Sequence, residues 1–138
     1  MGACELKEFR GRKYYCQMEL ALQIIGGKWK PIILWHLGLD GTLRFSQLSR
    51  IMPNITQKMF TQQLRELEGD GLVKRTVWPQ VPPRVEYELT DLGASVVPVL
   101  RQLCAWGSAY EERFGEQAAA LSVRELASTG ASEQAGLS

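Results

Sequence analysis

The chain has 138 residues, a formal net charge of +1, 45% hydrophobic residues and 22% charged residues. That suffices for one domain with its own core and is too short for two of ordinary size. No apolar run approaches the length of a bilayer span, and a start carrying Glu5 and Glu8 without an apolar core argues against a secretory signal. Three widely spaced cysteines, an odd number, do not make a disulfide framework, so reduced thiols in a cytoplasmic protein are the simplest expectation.

The small net charge hides a split. From Lys28 to Arg84 there are nine Lys/Arg against four acids, and from Val85 to Ser138 three against eight. A basic half beside an acidic half is what a surface for a polyanion next to an unrelated assembly surface would produce.

In chain order, residues 1–15 mix charges, glycine and two tyrosines without a clear period and read as a loosely held arm. Cys16 precedes a helical pattern of Met18, Ala21, Leu22 and Ile25 that Gly26-Gly27 ends. A second helix begins at about Lys28, with Pro31 in its first turn and Ile32, Ile33, Trp35 and Leu37 as apolar content; Gly38 and Gly41 bracket its end. Thr42-Leu43-Arg44 is short and extended. A third helix, Phe45 to about Met52, turns Leu48 and Ile51 inward and is broken by Pro53-Asn54. About four residues separate it from Thr56, the tight turn of a helix-turn-helix.

The fourth helix, 56–69, carries signals at both ends. Thr56 is an N-cap, Ile55 and Phe60 are spaced for a hydrophobic staple, and Gly69 and Gly71 stop the helix. At about 100° per residue, Met59, Phe60, Leu64 and Leu67 share one side, and Lys58, Thr61, Gln62 and Arg65 share the other. That polar stripe contains no acid, and its side chains match phosphate oxygens and purine edges. An ordinary solvated helix face would look the same, so the neighbouring segments must decide.

After Gly71 the period alternates. Leu72–Trp78 is one strand, Pro79–Pro83 cannot continue a ladder, and Arg84–Leu89 returns with Val85, Tyr87 and Leu89 on one face. Thr90-Asp91 caps a long helix through Val96, Val99, Leu100, Leu103, Trp106, Tyr110 and Phe114, whose aromatic surface calls for a partner. Gly115 interrupts it; 116–126 form a weaker helix, and small polar residues from Ala127 onward predict disorder. The expected organisation is therefore an arm (1–15), one domain (16–115) and a tail (116–138).

Helix, helix, short strand, helix, tight turn, helix, ribbon, long helix is the order of a winged helix-turn-helix. From Cys16 to about Gly107 the chain resembles the HxlR family of bacterial winged-helix regulators. The landmarks are Cys16 with Glu19, Ile25-Gly26-Gly27-Lys28-Trp29-Lys30, Arg44-Phe45 before Leu48, Gln63-Leu64-Arg65-Glu66-Leu67-Glu68, Asp70-Gly71-Leu72-Val73, Pro82-Pro83-Arg84-Val85-Glu86-Tyr87, Thr90, Gly93 and Trp106-Gly107. One departure is Gln17, where the family usually has proline. The resemblance implies a mainly α (α+β) fold with a two-stranded wing and a long C-terminal dimerisation helix. It also implies a homodimer, joined through its terminal helices, on double-stranded operator DNA.

In that frame Thr56, Gln57, Lys58, Thr61, Gln62 and Arg65 face a major groove, with Arg65 suited to guanine and Gln62 to adenine. Two such helices fit successive grooves about 34 Å apart. Arg84, held by Pro82 and Pro83 in the wing (78–84), reaches the backbone or the minor groove; Lys28, Lys30 and Lys74 are candidate phosphate contacts. Some family members sense thiol chemistry through the cysteine at Cys16. A helix start beside Arg12 and Lys13 favours a reactive thiol answering a small electrophile or oxidant, while the alternative is a small buried apolar residue. Cys4 falls in the arm, and Cys104 reads as core or interface, as do Trp29, Trp35, Trp78 and Trp106. His36, the only histidine, reads as packing.

No nucleophile–base pair, phosphate-cradling loop or paired carboxylates stand out, so neither an enzyme nor a metal or cofactor protein is expected. The function expected is a DNA-binding transcription regulator of repressor type. The alternative is a winged-helix protein-interaction module whose basic stripe is only solvated.

Overall fold

A computed structural model describes residues 5–129, with side chains through residue 115. A two-stranded hairpin, β1 (Lys7–Phe9) and β2 (Arg12–Tyr14), opens the described chain. Helices α1 (Gln17–Ile25) and α2 (Lys30–Asp40) follow, then β3 (Leu43–Arg44), α3 (Phe45–Ile51) and α4 (Gln57–Gly69). Strands β4 (Val73–Trp78) and β5 (Arg84–Leu89) form the wing, and α5 (Asp91–Ala94) and α6 (Val97–Thr129) complete the order. β3, β5 and β4 lie side by side in one antiparallel sheet, with Arg75 opposite Tyr87 and Trp78 opposite Arg84. The winged helix-turn-helix expected from the element order is the fold found.

The core gathers the inward stripes of these elements: Ile33, Leu34 and Leu37 from α2, Leu48 from α3, and Phe60, Leu64 and Leu67 from α4, closed by Leu72, Val73 and Tyr87. Each such side chain stabilises the fold by about 1.5–3 kcal/mol relative to exposure. Both ends of α4 are fixed as its sequence requires. Thr56 Oγ1 accepts from the Met59 amide at 3.1 Å, and Gly71, just beyond the C-cap Asp70, takes φ +82°, a conformation that penalises a Cβ.

Gly71 also sets the next seam. Thr90 Oγ1 donates to the Gly71 carbonyl at 2.6 Å and accepts from the Gly93 amide at 3.0 Å, capping α5. Gly93 is buried so tightly against the Leu72 carbonyl that a Cβ there would overlap it. A glycine is what lets α5 lie on the start of the wing.

Three expectations change. The stretch that reads as a loose arm is the hairpin β1–β2, held by Arg12 Nη2 donating to Asp70 Oδ2 at 2.7 Å and by buried Tyr14. It is also tied to α1, because the Tyr15 amide donates to Glu19 Oε1 at 2.7 Å and Gln23 Nε2 donates to the Lys13 carbonyl at 2.9 Å. The long helix expected from Thr90 is two helices. Pro98 would drive its ring into the carbonyl of Ala94 in a continuous helix, so α5 stops at Ala94 and α6 restarts with Pro98 in its first turn.

Gly115 does not interrupt α6, which runs to Thr129 and absorbs the separate helix expected at 116–126. A single glycine costs about 1 kcal/mol against alanine, too little to end a 33-residue helix. Cys4 and the stretch 130–138, where disorder was expected, lie outside the described residues.

The chain divides into two units, Met1–Leu100 and Arg101–Ser138. The first holds the winged helix and the core. In the second, α6 carries Trp106, Tyr110 and Phe114 four residues apart, all exposed, with ring centroids 5.4 Å and 4.8 Å apart in succession.

Candidate nucleic-acid interface

The turn between α3 and α4 is drawn tight by two backbone bonds, Met52 to the Ser49 carbonyl at 3.2 Å and Ile55 to the Met52 carbonyl at 3.4 Å. With Phe60, Leu64 and Leu67 committed to the core, the opposite face of α4 must point outward. Gln57, Lys58, Gln62 and Arg65 are exposed there and Thr61 is half-buried, so the predicted stripe is one continuous surface. Met59, expected on the apolar side, is 43% exposed, since it lies about 100° from Phe60 around the helix. Its sulfur instead accepts from Gln63 Nε2 at 3.5 Å.

Glu66 and Glu68 flank the stripe, and Glu66 is neutralised from below. Lys30 Nζ lies 2.6 Å from Glu66 Oε1, and Gln62 Nε2 donates to Glu66 Oε2 at 2.8 Å. The Gln62 hydrogen bond, then the Lys30 contact, hold the Glu66 carboxyl below the ordinary glutamate value. Lys30 is therefore not a phosphate contact: only 6% of it is exposed, and its charge serves Glu66. Lys28, by contrast, is exposed and lies over the Trp29 ring at 4.6 Å.

Beside the stripe, a hollow of about 330 Å³ between α4 and the wing is lined by Thr61, Arg65, Glu68 and Arg75 over a floor of Phe45, Val85 and Tyr87. A second, of about 370 Å³, lies under the wing loop among Arg44, Ser46, Gln80, Pro82, Pro83 and Arg84. Arg75 and Arg44 belong to this surface although neither is among the contacts expected from the sequence. Arg75 had a signal: it falls between Val73 and Val77 on the strand face opposite Tyr87, where alternation calls for an apolar residue.

Arg84 differs from the expectation of a free anchor at the tip. It is half-buried on the outer sheet face, its guanidinium 5.3 Å from the Trp78 ring centre and its Nε 3.3 Å from Glu86 Oε2. Trp78 Nε1 donates to Glu86 Oε1 at 2.9 Å, completing a small cluster that stiffens the wing. Pro82, Pro83 and Lys74 are exposed, Lys74 opposite Glu88 in the ladder.

Cys16 is exposed at the N-cap of α1, not buried, and Arg12 is engaged by Asp70. Cys104 is exposed as well. Trp29 and Trp35 pack against the core as expected, whereas Trp78 is 42% and Trp106 67% exposed. Among the described residues no group of three His, Cys, Asp or Glu side chains could hold a metal, and no helix is long and apolar enough to cross a membrane.

A core-anchored helix after a tight turn, with a cation-rich outer face and a β-ribbon beside it, defines a winged helix-turn-helix regulator. Comparison with known proteins gives the family. The HxlR-like helix-turn-helix model matches residues 24–114, and the chain belongs to that family of transcriptional regulators, which are not enzymes. It is 56% identical over 102 residues to the HTH-type transcriptional regulator YtcD of Bacillus subtilis, covering 74% of this chain and 80% of that one. To an HTH-type transcriptional regulator of Methanothermobacter thermautotrophicus it is 53% identical over 109 residues, 77% of this chain and 82% of the other. The solved structure of the redox regulator HypR in its oxidized form is similar with a TM-score of 0.64 at 51% identity, over 68% of this chain and 96% of that one.

Proposed function

We infer that the chain is a homodimeric regulator that carries α4 into the major groove of operator DNA and lays the wing along the flanking backbone. The observation that carries this reading is the outer face of α4. Its neighbouring acid Glu66 is neutralised by Lys30, and its cations Lys58 and Arg65 are exposed, with Arg65 lining one hollow together with Arg75. Thr56, Gln57, Thr61 and Gln62 supply polar contacts along the groove, and Lys74, Pro82, Pro83 and Arg84 form the wing side. Dimerisation accounts for the aromatic run on α6 and for Met18 and Leu22 exposed on α1, surfaces costly to leave in water.

The expected result is binding to duplex DNA whose affinity falls steeply with salt, because each phosphate contact releases a counterion. If no duplex is bound at low salt, the interaction-module reading takes its place.

A thiol input is favoured by one observation, the exposure of Cys16 at the start of α1 and two residues beyond β2. Oxidant-driven release from the duplex should be lost in Cys16→Ser, measured by anisotropy with and without diamide. Unchanged release by that variant would assign any response to another residue.

A further inference from the structure

Gln62 stands on the outer face of α4, and on the groove reading above its amide meets a base edge. An amide has two unlike ends, and which one faces outward decides which bases suit it. A carboxylate only accepts, so Glu66 must take the NH2 end of Gln62, as it does at 2.8 Å. Glu66 cannot readily turn away, because its other oxygen holds the Lys30 ammonium at 2.6 Å in a site where Lys30 is only 6% exposed. Removing that counter-charge would leave a buried cation uncompensated.

We propose that Glu66, locked by Lys30, is a positioning residue that fixes the Gln62 amide with its carbonyl oxygen toward the groove and so selects bases offering a donor there. In the major groove those are adenine, through N6, and cytosine, through N4; guanine and thymine present acceptors at the corresponding edge. A freely rotating glutamine would accept both sets. This inference rests on α4 as the groove reader; it adds the residue that orients Gln62 and widens the adenine expected of it to adenine or cytosine.

Glu66→Gln tests it with little change of shape. Lys30 only donates, so the oxygen of the introduced amide would face Lys30, and its NH2 would then face Gln62. The Gln62 carbonyl must turn inward to accept, which presents its NH2 to the groove. The preference should switch toward guanine or thymine.

The experiment selects bound sequences from random duplexes with the full chain and with Gln62→Ala, which identifies the contacted position by loss of preference there. Duplexes carrying each base at that position are then titrated with the wild-type chain, with Glu66→Gln, and with Lys30→Met/Glu66→Ala, which removes both charges together and leaves no buried cation unpaired. The expected result is an adenine or cytosine preference on the order of fivefold in the wild-type chain, reversed in Glu66→Gln and lost in the double variant, with preferences at other positions unmoved.

A wild-type preference for guanine or thymine at that position would overturn the proposal, as would an unaltered preference in both variants. A wild-type chain that selects no sequence at all would instead remove the groove-reading role of α4, and this inference with it. In a Gln62→Ala background, a change at that position on adding Lys30→Met/Glu66→Ala would also count against it, because the coupling must run through Gln62.

Discussion

Replacing Phe60 by alanine is expected to lower the unfolding free energy by about 3–5 kcal/mol, a large part of the 5–15 kcal/mol typical of a domain. Phe60 is 1% exposed, and its ring lies 5.0 Å from that of Phe45, which lies 6.5 Å from that of Tyr87. The three rings come from α4, α3 and β5, so removing one opens a cavity where these two helices and the wing meet. Urea unfolding at matched protein concentration measures the loss, and Phe60→Leu, which keeps most of the volume, should lose much less. A loss below about 1 kcal/mol in Phe60→Ala would mean the junction closes without the ring. Because the same residue aims α4, partly folded Phe60→Ala should also bind DNA poorly at temperatures where the wild-type chain is intact.

Arg65→Ala is expected to cost about 1–3 kcal/mol of binding to the selected operator and to relax selection at one base pair. Arg65 is exposed in the middle of the stripe, and among the described residues no carboxylate lies within ion-pair distance of it. Its guanidinium fork is thus available for guanine O6 and N7. The informative quantity is the ratio of operator to scrambled-duplex affinity at fixed salt. If Arg65→Ala lowers both affinities equally, Arg65 touches phosphate and reads no base.

Much of this surface was legible in the sequence because local rules fix it. Thr56, Phe60 and Gly71 set the start, inner face and end of α4 by capping, periodicity and backbone freedom, and the wing strands follow from alternation between Leu72 and Leu89. What stayed hidden depends on partners distant in sequence. Lys30 reads as a solvent-facing cation until Glu66, 36 positions on, is seen beneath the stripe. The hairpin β1–β2 escaped because its strands have three residues each and its turn puts an arginine, Arg10, at φ +51° beside Gly11 at φ +80°. Asparagine-glycine would have announced such a turn. The break before α6 was readable from Pro98 alone, by asking where its ring would meet the preceding turn.

The hairpin has a mechanical consequence. Arg12 fastens it to Asp70, the residue that caps the far end of α4, so α4 is clamped at one end by Thr56 and braced at the other by a segment that precedes the family's matched region. A chain trimmed to begin at residue 24 would keep every matched position and lose that brace. Cys16 sits two residues past the strut. A modification that displaced β2 would pull on the end of α4 itself.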